Sequence, residues 1–268
     1  MMRSRSKRTR GERGFTLIEM IGVLAIISTL AAVLVPNVVK TVDEAVGDAE
    51  GRDLTVLATA LDSYTATQKS IPNTAGWVAA LAGMTSMASN KISLNERGFT
   101  RGYYVDPRFF TATATAFAGY TQTTGLTTAP VSPRILLVAD LTRNAPAAPT
   151  TAAAFNAIWD QSAGATVVEG SRVKIQRIYL GDWFLPVLLT NQFTAATGYR
   201  IDSGTTASVP AGGGTGITRY VLKKSTVSLF KPTFPSGALE RAVMIGSARE
   251  LSYVSSGGAT PVWSWTAP

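Results

Sequence analysis

The sequence predicts an α+β fold. One long N-terminal helix, apolar in its first half and amphipathic in its second, packs on a following antiparallel β-sheet domain. Three observations carry this expectation. Met20 to Val39 are 20 consecutive uncharged residues, mostly apolar. Beyond them Val42, Val46, Ala49, Leu57, Leu61 and Tyr64 recur at helical spacing, with Leu54 on a neighbouring line. The last third then turns to β-branched and aromatic runs between turn signals.

Composition narrows the function classes. The chain has 268 residues, 46% hydrophobic and 16% charged, which excludes a wholly disordered polymer. It has no Cys, hence no disulfide framework, thiolate metal site or cysteine nucleophile. It has no His either, which removes the commonest zinc ligand and any Ser-His-Asp triad. The net charge of +8 is unevenly placed. Residues 1–14 hold six bases and one acid, leaving 19 bases and 16 acids for everything after them. The basicity is therefore a short block ahead of an apolar run, as on the cytoplasmic flank of a membrane segment, and not a nucleic-acid-binding face.

Taken in order, residues 1–14 are the basic leader and residues 15–39 the apolar helix, in which Glu19 is the only charge. Twenty helical residues rise roughly 30 Å, the depth of a bilayer core. A secretory signal peptide is the competing assignment, and Ala31-Ala32-Val33 imitates a cleavage site, but the run continues past it. Glu19 marks either a functional carboxylate or one that snorkels to the near interface. Pro36 lacks a backbone donor and clashes with the preceding turn, so it kinks the helix or ends it at the membrane surface. Residues 40–70 form the outer half of the helix, which runs to about Gln68, with Gly47 and Gly51 easing its bending. Asp43, Glu44, Asp48 and Glu50 read as a solvated acidic face.

Residues 71–268 form the globular β-rich domain. Gly76–Ser89 reads as a short helix with Trp77, Leu81 and Met84 on one side. Thr111–Val131 carries 8 Thr and 5 Ala in 21 residues and reads as an exposed loop. Arg134–Asp140 is a buried strand, 144–149 a linker and Thr151–Gln161 a short amphipathic helix. Val173–Leu180 and Trp183–Thr190 read as a hairpin across Gly181-Asp182, with Pro186 demoting the second strand to an edge or marking a bulge. Ile217–Phe230 reads as two short strands or one bent one, followed by Ala242–Ile245, Leu251–Val254 and a last strand at 262–265. These lay an antiparallel sheet against the outer half of the helix.

The stretch Gly14-Phe15-Thr16-Leu17-Ile18-Glu19, between a basic leader and an apolar helix, resembles the prepilin cleavage and methylation signal of type IV pilins and type II secretion pseudopilins. The resemblance implies cleavage between Gly14 and Phe15 by a prepilin peptidase, which then N-methylates Phe15. It makes Glu19 the family's assembly carboxylate, five positions into the mature chain, and Pro36 its helix-kinking proline. In a filament of packed helices, Glu19 of one subunit then meets the Phe15 amine of the next. Pairing removes much of the penalty of a carboxylate in hydrocarbon and sets register. Leu61-Asp62-Ser63-Tyr64, Ile71-Pro72 and Trp77 through Leu81 are similar to the pseudopilin pattern in which a short helix follows the long one.

The function that follows is a structural subunit of a type IV pilus or a type II secretion pseudopilus, without catalytic residues, metal or cofactor. Its implied partners are the prepilin peptidase and methylase, other pilin or pseudopilin subunits, and an inner-membrane assembly platform. It sits in the cytoplasmic membrane with its N-terminus inside and its globular domain outside. The alternative is an anchored extracytoplasmic domain that binds a surface or DNA, or an enzyme. Gly212 to Gly216 lacks the Lys-Ser/Thr of a phosphate-binding loop and reads as a hairpin tip. Lys223-Lys224-Ser225 alternates in direction along a strand and does not suggest a catalytic pair. The calcium loop of some pseudopilins and the paired cysteines of many pilins have no counterpart here.

Overall fold

The computed structural model describes residues 16–109, 117–212, 216–231, 238–254 and 262–266. The chain divides into two compact units, Met1–Ala45 and Val46–Pro268. In the first, helix α1 (Leu17–Gln68, 52 residues) begins, and its apolar side chains are exposed throughout. This helix is long and apolar enough to cross a membrane. Pro36 lies inside it, and the helix continues past the proline.

In the second unit α1 ends at Gln68, where Lys69 turns left-handed (φ 51°) and donates its backbone N–H to Thr65 O at 3.1 Å. Two short helices follow, α2 (Trp77–Ala82) and α3 (Ser89–Ser93); the second escaped the sequence analysis. A three-stranded antiparallel sheet of β2 (Gly102–Val105), β4 (Arg134–Asp140) and β5 (Val173–Tyr179), with β4 central, forms the layer next to the outer half of α1. The near-continuous apolar run of β4 reflects burial on both faces. Ile135, Leu137 and Ala139 join Leu54, Leu57 and Leu61 of α1 in one core, with Trp77 stacked on Tyr103 at 5.4 Å. Leu136 and Val138 pack with Phe155 and Ile158 of helix α4 (Ala152–Asp160) in another. Thr151 caps α4 by accepting from Ala154 N at 3.2 Å, and Gln161 closes it in the left-handed conformation (φ 53°).

Eight strands of the second half of the chain build a two-sheet sandwich. One sheet runs β13 (Val262–Thr266), β12 (Arg249–Val254), β6 (Phe184–Asn191), β9 (Ile217–Leu222). The other runs β11 (Leu239–Met244), β10 (Thr226–Phe230), β7 (Thr197–Ile201), β8 (Ala207–Val209). Val187, Leu189, Tyr199, Ile201, Leu229 and Trp263 lie in a core of their own. The α+β arrangement is therefore as expected, but the sheet on the helix comes largely from the middle of the chain. All described ladders are antiparallel except β12 with β6, which is parallel.

Several local expectations change. β5 and β6 do not form a hairpin: Gly181–Trp183 is a 3-10 turn that sends them into different sheets. β6 is an interior strand despite Pro186, because its ladder with β12 begins at Val187, so the missing N–H faces no partner there. Ile217–Phe230 is two strands in two sheets, broken where Lys224 turns left-handed (φ 65°). The threonine-rich loop is not simply exposed. Phe117 stacks on Phe109 at 5.4 Å, β3 (Tyr120–Thr121) pairs with β1 (Ser70–Ile71), and Leu126 bridges Tyr220 of β9. Buried Gln122 donates to Asp202 Oδ2 (2.9 Å) and Ser225 Oγ (2.7 Å) and accepts from Leu222 N (2.9 Å). This strap ties the sandwich to the helical layer. The glycine run at 212–216 lies mostly outside the described residues, and it joins β8 to β9, which belong to different sheets.

Candidate functional site

The processing and assembly residues expected from the sequence lie at the start of α1. Gly14 and Phe15 fall outside the described residues; Thr16 is the first described. Thr16 and Glu19 form a reciprocal capping box. Thr16 donates its backbone N–H (2.9 Å) and hydroxyl (3.0 Å) to Glu19 Oε2, and Glu19 donates its N–H to Thr16 Oγ1 (3.3 Å). The carboxylate also lies at the positive end of the helix dipole. This second role of Glu19 goes beyond the assembly role expected of it, and its local signature is Thr-x-x-Glu ahead of an apolar run. Glu19 Oε1 has no hydrogen-bond partner among the described residues.

The polar residues of the apolar segment are satisfied within the helix. Ser28 Oγ donates to Leu24 O at 2.7 Å, Thr29 Oγ1 to Ile26 O at 2.8 Å and Asn37 Nδ2 to Val33 O at 3.4 Å. Each would cost free energy if left unpaired in hydrocarbon. What remains exposed is an apolar cylinder with one carboxylate near its beginning. Such a surface suits packing among lipid tails or like helices.

The acidic residues further along α1 are not one solvated face. Glu44 pairs with Lys40 at 3.8 Å, four residues back. Asp48 approaches Lys174 at 4.0 Å. Glu50 is fully buried, and Arg101, equally buried, grips it through Nε (2.5 Å) and Nη2 (2.9 Å). Arg101 Nη2 also reaches Asp53 (3.3 Å), while Nη1 donates to the carbonyls of Lys91 and Ile92. Glu96 N adds a bond to Glu50 Oε2 at 3.1 Å. This ion pair anchors the α3–β2 segment to α1. Sequence reasoning missed Arg101 because its partner lies about fifty residues away and no local pattern announces it.

The catalytic alternatives fit poorly. Ser225 is buried and its hydroxyl accepts from Gln122, while Lys223 and Lys224 point to solvent at a turn. Among the described residues no cluster of three acids could hold a metal ion.

Comparison with known proteins agrees with this picture. Residues 9–35 match the family model described as the prokaryotic N-terminal methylation motif. The chain is 33% identical over 98 residues to the type II secretion system core protein G of Pseudomonas aeruginosa, covering 37% of this chain and 69% of that protein. It is 32% identical over 96 residues to that of Klebsiella pneumoniae, covering 36% and 69%. For the Escherichia coli K12 protein the identity is 29% over 99 residues, covering 37% and 68%. No solved structure matches significantly. A methylation motif, an exposed apolar helix opening on a capped glutamate, and an outer half packed on an antiparallel sheet thus coincide with relatives of one kind, and the chain belongs to the type IV pilin and type II secretion pseudopilin family.

Proposed function

We propose that this chain is a structural subunit of a type II secretion pseudopilus, made as a prepilin. A prepilin peptidase cuts it between Gly14 and Phe15 and methylates the new Phe15 amine. Before assembly, residues 15–39 span the cytoplasmic membrane, with the basic leader inside and residues 71–268 outside. In the filament the same helices pack on one another, other pilin-like subunits supply the neighbours, and an inner-membrane platform drives the addition. The observation that carries this reading is the methylation motif at residues 9–35 running into a helix whose large apolar side chains, from Leu17 to Val42, are exposed among the described residues.

The chemistry asked of the site is modest. An α-amine titrates near pH 8, and methylation leaves it basic, so it is a cation under ordinary conditions. The free Oε1 of Glu19 suits it as acceptor, while Oε2 stays in the capping box. Pairing offsets desolvation of both charges and specifies register; the bulk attraction comes from apolar helix contacts. Pro36 provides a point at which the packed helix bends. The globular unit contributes surface and no catalysis.

The test is mass spectrometry of the N-terminal peptide from membranes with and without an active prepilin peptidase. The expected result is a peptide beginning at Phe15 with one added methyl, present only with the peptidase. A peptide retaining residues 1–14 in both membranes would leave a simple signal anchor, and a mature start near Val33 would mean an ordinary secreted domain.

A further inference from the structure

An open notch of about 430 Å³ lies where the start of β4, the end of β5 and α4 meet. Arg108, Ser132, Arg134, Asn156, Asp160 and Tyr179 line it. Its floor is rigid. The Asp106 carboxylate, fully buried, accepts from Arg108 Nε (3.1 Å) and Nη2 (3.0 Å) and from Arg134 Nε (3.0 Å) and Nη2 (2.6 Å). Asn156 Oδ1 accepts from both Nη2 groups. The Arg134 guanidinium also lies over the rings of Phe155 (5.3 Å) and Trp159 (4.9 Å). Both guanidinium planes are thereby locked.

Donors are left over. The Nη1 groups of Arg108 and Arg134 and the Nδ2 of Asn156 make no hydrogen bond among the described residues. Asp160 adds an exposed carboxylate and Ser132 a hydroxyl. The carboxylates of Asp106 and Asp160 equal the two guanidinium groups in number, so the notch carries no formal net charge and an uncharged ligand suits it. On its rim Tyr179 is 57% exposed. Its ring lies across Gly181, where a Cβ would come within 2.3 Å of it. A glycine is required there for the ring to occupy this place.

We propose that this notch binds a neutral saccharide. A sugar hydroxyl donates and accepts at once, which suits fixed amide and guanidinium donors beside a carboxylate acceptor. The C–H face of a pyranose suits an exposed aromatic ring. Because the donors are already oriented, little ordering cost falls on binding. The site is independent of the helix that assembles the filament, and it gives the globular unit a ligand of its own.

The test uses the processed full chain in a detergent without a sugar headgroup. Maltotetraose, cellotetraose and tetra-N-acetylchitotetraose are titrated separately by calorimetry, with sodium sulfate as the anionic control. At least one oligosaccharide is expected to bind with a Kd of about 1 mM or tighter, and sulfate is not. Tyr179→Ala and Asn156→Ala each weaken that binding by about tenfold or more. Gly181→Ala, which displaces the ring without removing a polar group, weakens it as well. Tyr179→Ala, at an exposed side chain, keeps the wild-type unfolding midpoint and so separates binding from folding. Failure of all three sugars at about 10 mM overturns the proposal, as does equal binding by the Tyr179→Ala chain. Binding of sulfate with none of the sugars overturns it in favour of an anion site.

Discussion

Arg101→Ala is expected to be among the most damaging single changes to the globular unit. The substitution removes both bonds to Glu50, the contact with Asp53 and the donors to the Lys91 and Ile92 carbonyls. Glu50 is then left in the interior with Glu96 N as its remaining partner. Breaking a buried pair from one side costs about 3–5 kcal/mol, most of it the penalty of the stranded charge. With a urea m-value of roughly 2 kcal/mol/M, the midpoint falls by about 1.5–2.5 M. The assay is urea unfolding of the full chain in micelles, followed by tryptophan fluorescence. A companion chain with Glu50→Leu and Arg101→Met removes both charges and is expected to recover most of the loss. A cost below about 1 kcal/mol for Arg101→Ala, the value of a solvated pair, or a double change no better than the single one, would show that the pair is not a buried anchor.

Two further outcomes follow from the geometry. Gly204→Ala places a Cβ 2.0 Å from Thr123 O and 2.9 Å from Ile201 O, so strap and sandwich must part; a loss of about 1–3 kcal/mol is expected in the same urea assay. Burial acts to raise the Asp106 and Asp140 carboxyls, but hydrogen bonds from Arg108 and Arg134 to the first, and from Thr142 and Arg143 to the second, outweigh it and hold both below the ordinary range. A depressed folded-state pKa gives stability that is complete above the unfolded value of about 4 and is lost as pH falls through the folded one. The urea midpoint should therefore drop between about pH 5 and pH 2, and Asp106→Asn should flatten part of that drop while lowering the neutral-pH plateau.

The two halves of α1 show how one element serves two environments. The first half carries leucine, isoleucine and valine on every side, and its hydroxyl and amide side chains bond back to carbonyls of the same helix. Its helicity needs no tertiary partner where water is scarce. The second half buries the stripe of Leu54, Leu57 and Leu61, with Ala60 beside it and Glu50 and Thr65 at either end, and leaves Thr55, Thr59 and Ser63 to solvent. Removing one of those leucines would cost the transfer energy of the side chain plus the cavity it leaves.

Local features could be read from the residues alone. The apolar run, the helical stripe beyond it and the Thr-x-x-Glu opening lie within a few turns of one another, so their structure follows from spacing and composition. The burial of Arg134–Asp140 was legible for the same reason, as was the short amphipathic helix at Thr151–Gln161. Features that depend on distant partners emerged only from the fold. Val173–Tyr179 and Phe184–Asn191 look like a hairpin because a Gly-Asp link joins them, yet each pairs with strands from elsewhere, and the turn between them changes sheets. Four larger side chains, Phe117, Tyr120, Gln122 and Leu126, make the strap, and a count dominated by threonine and alanine conceals them. Glu50 resembled its acidic neighbours in sequence, and only the fold brought Arg101 to it. A helix satisfies its backbone from its own neighbours, whereas a strand, a buried charge or a binding notch is completed by residues that the chain supplies from far away.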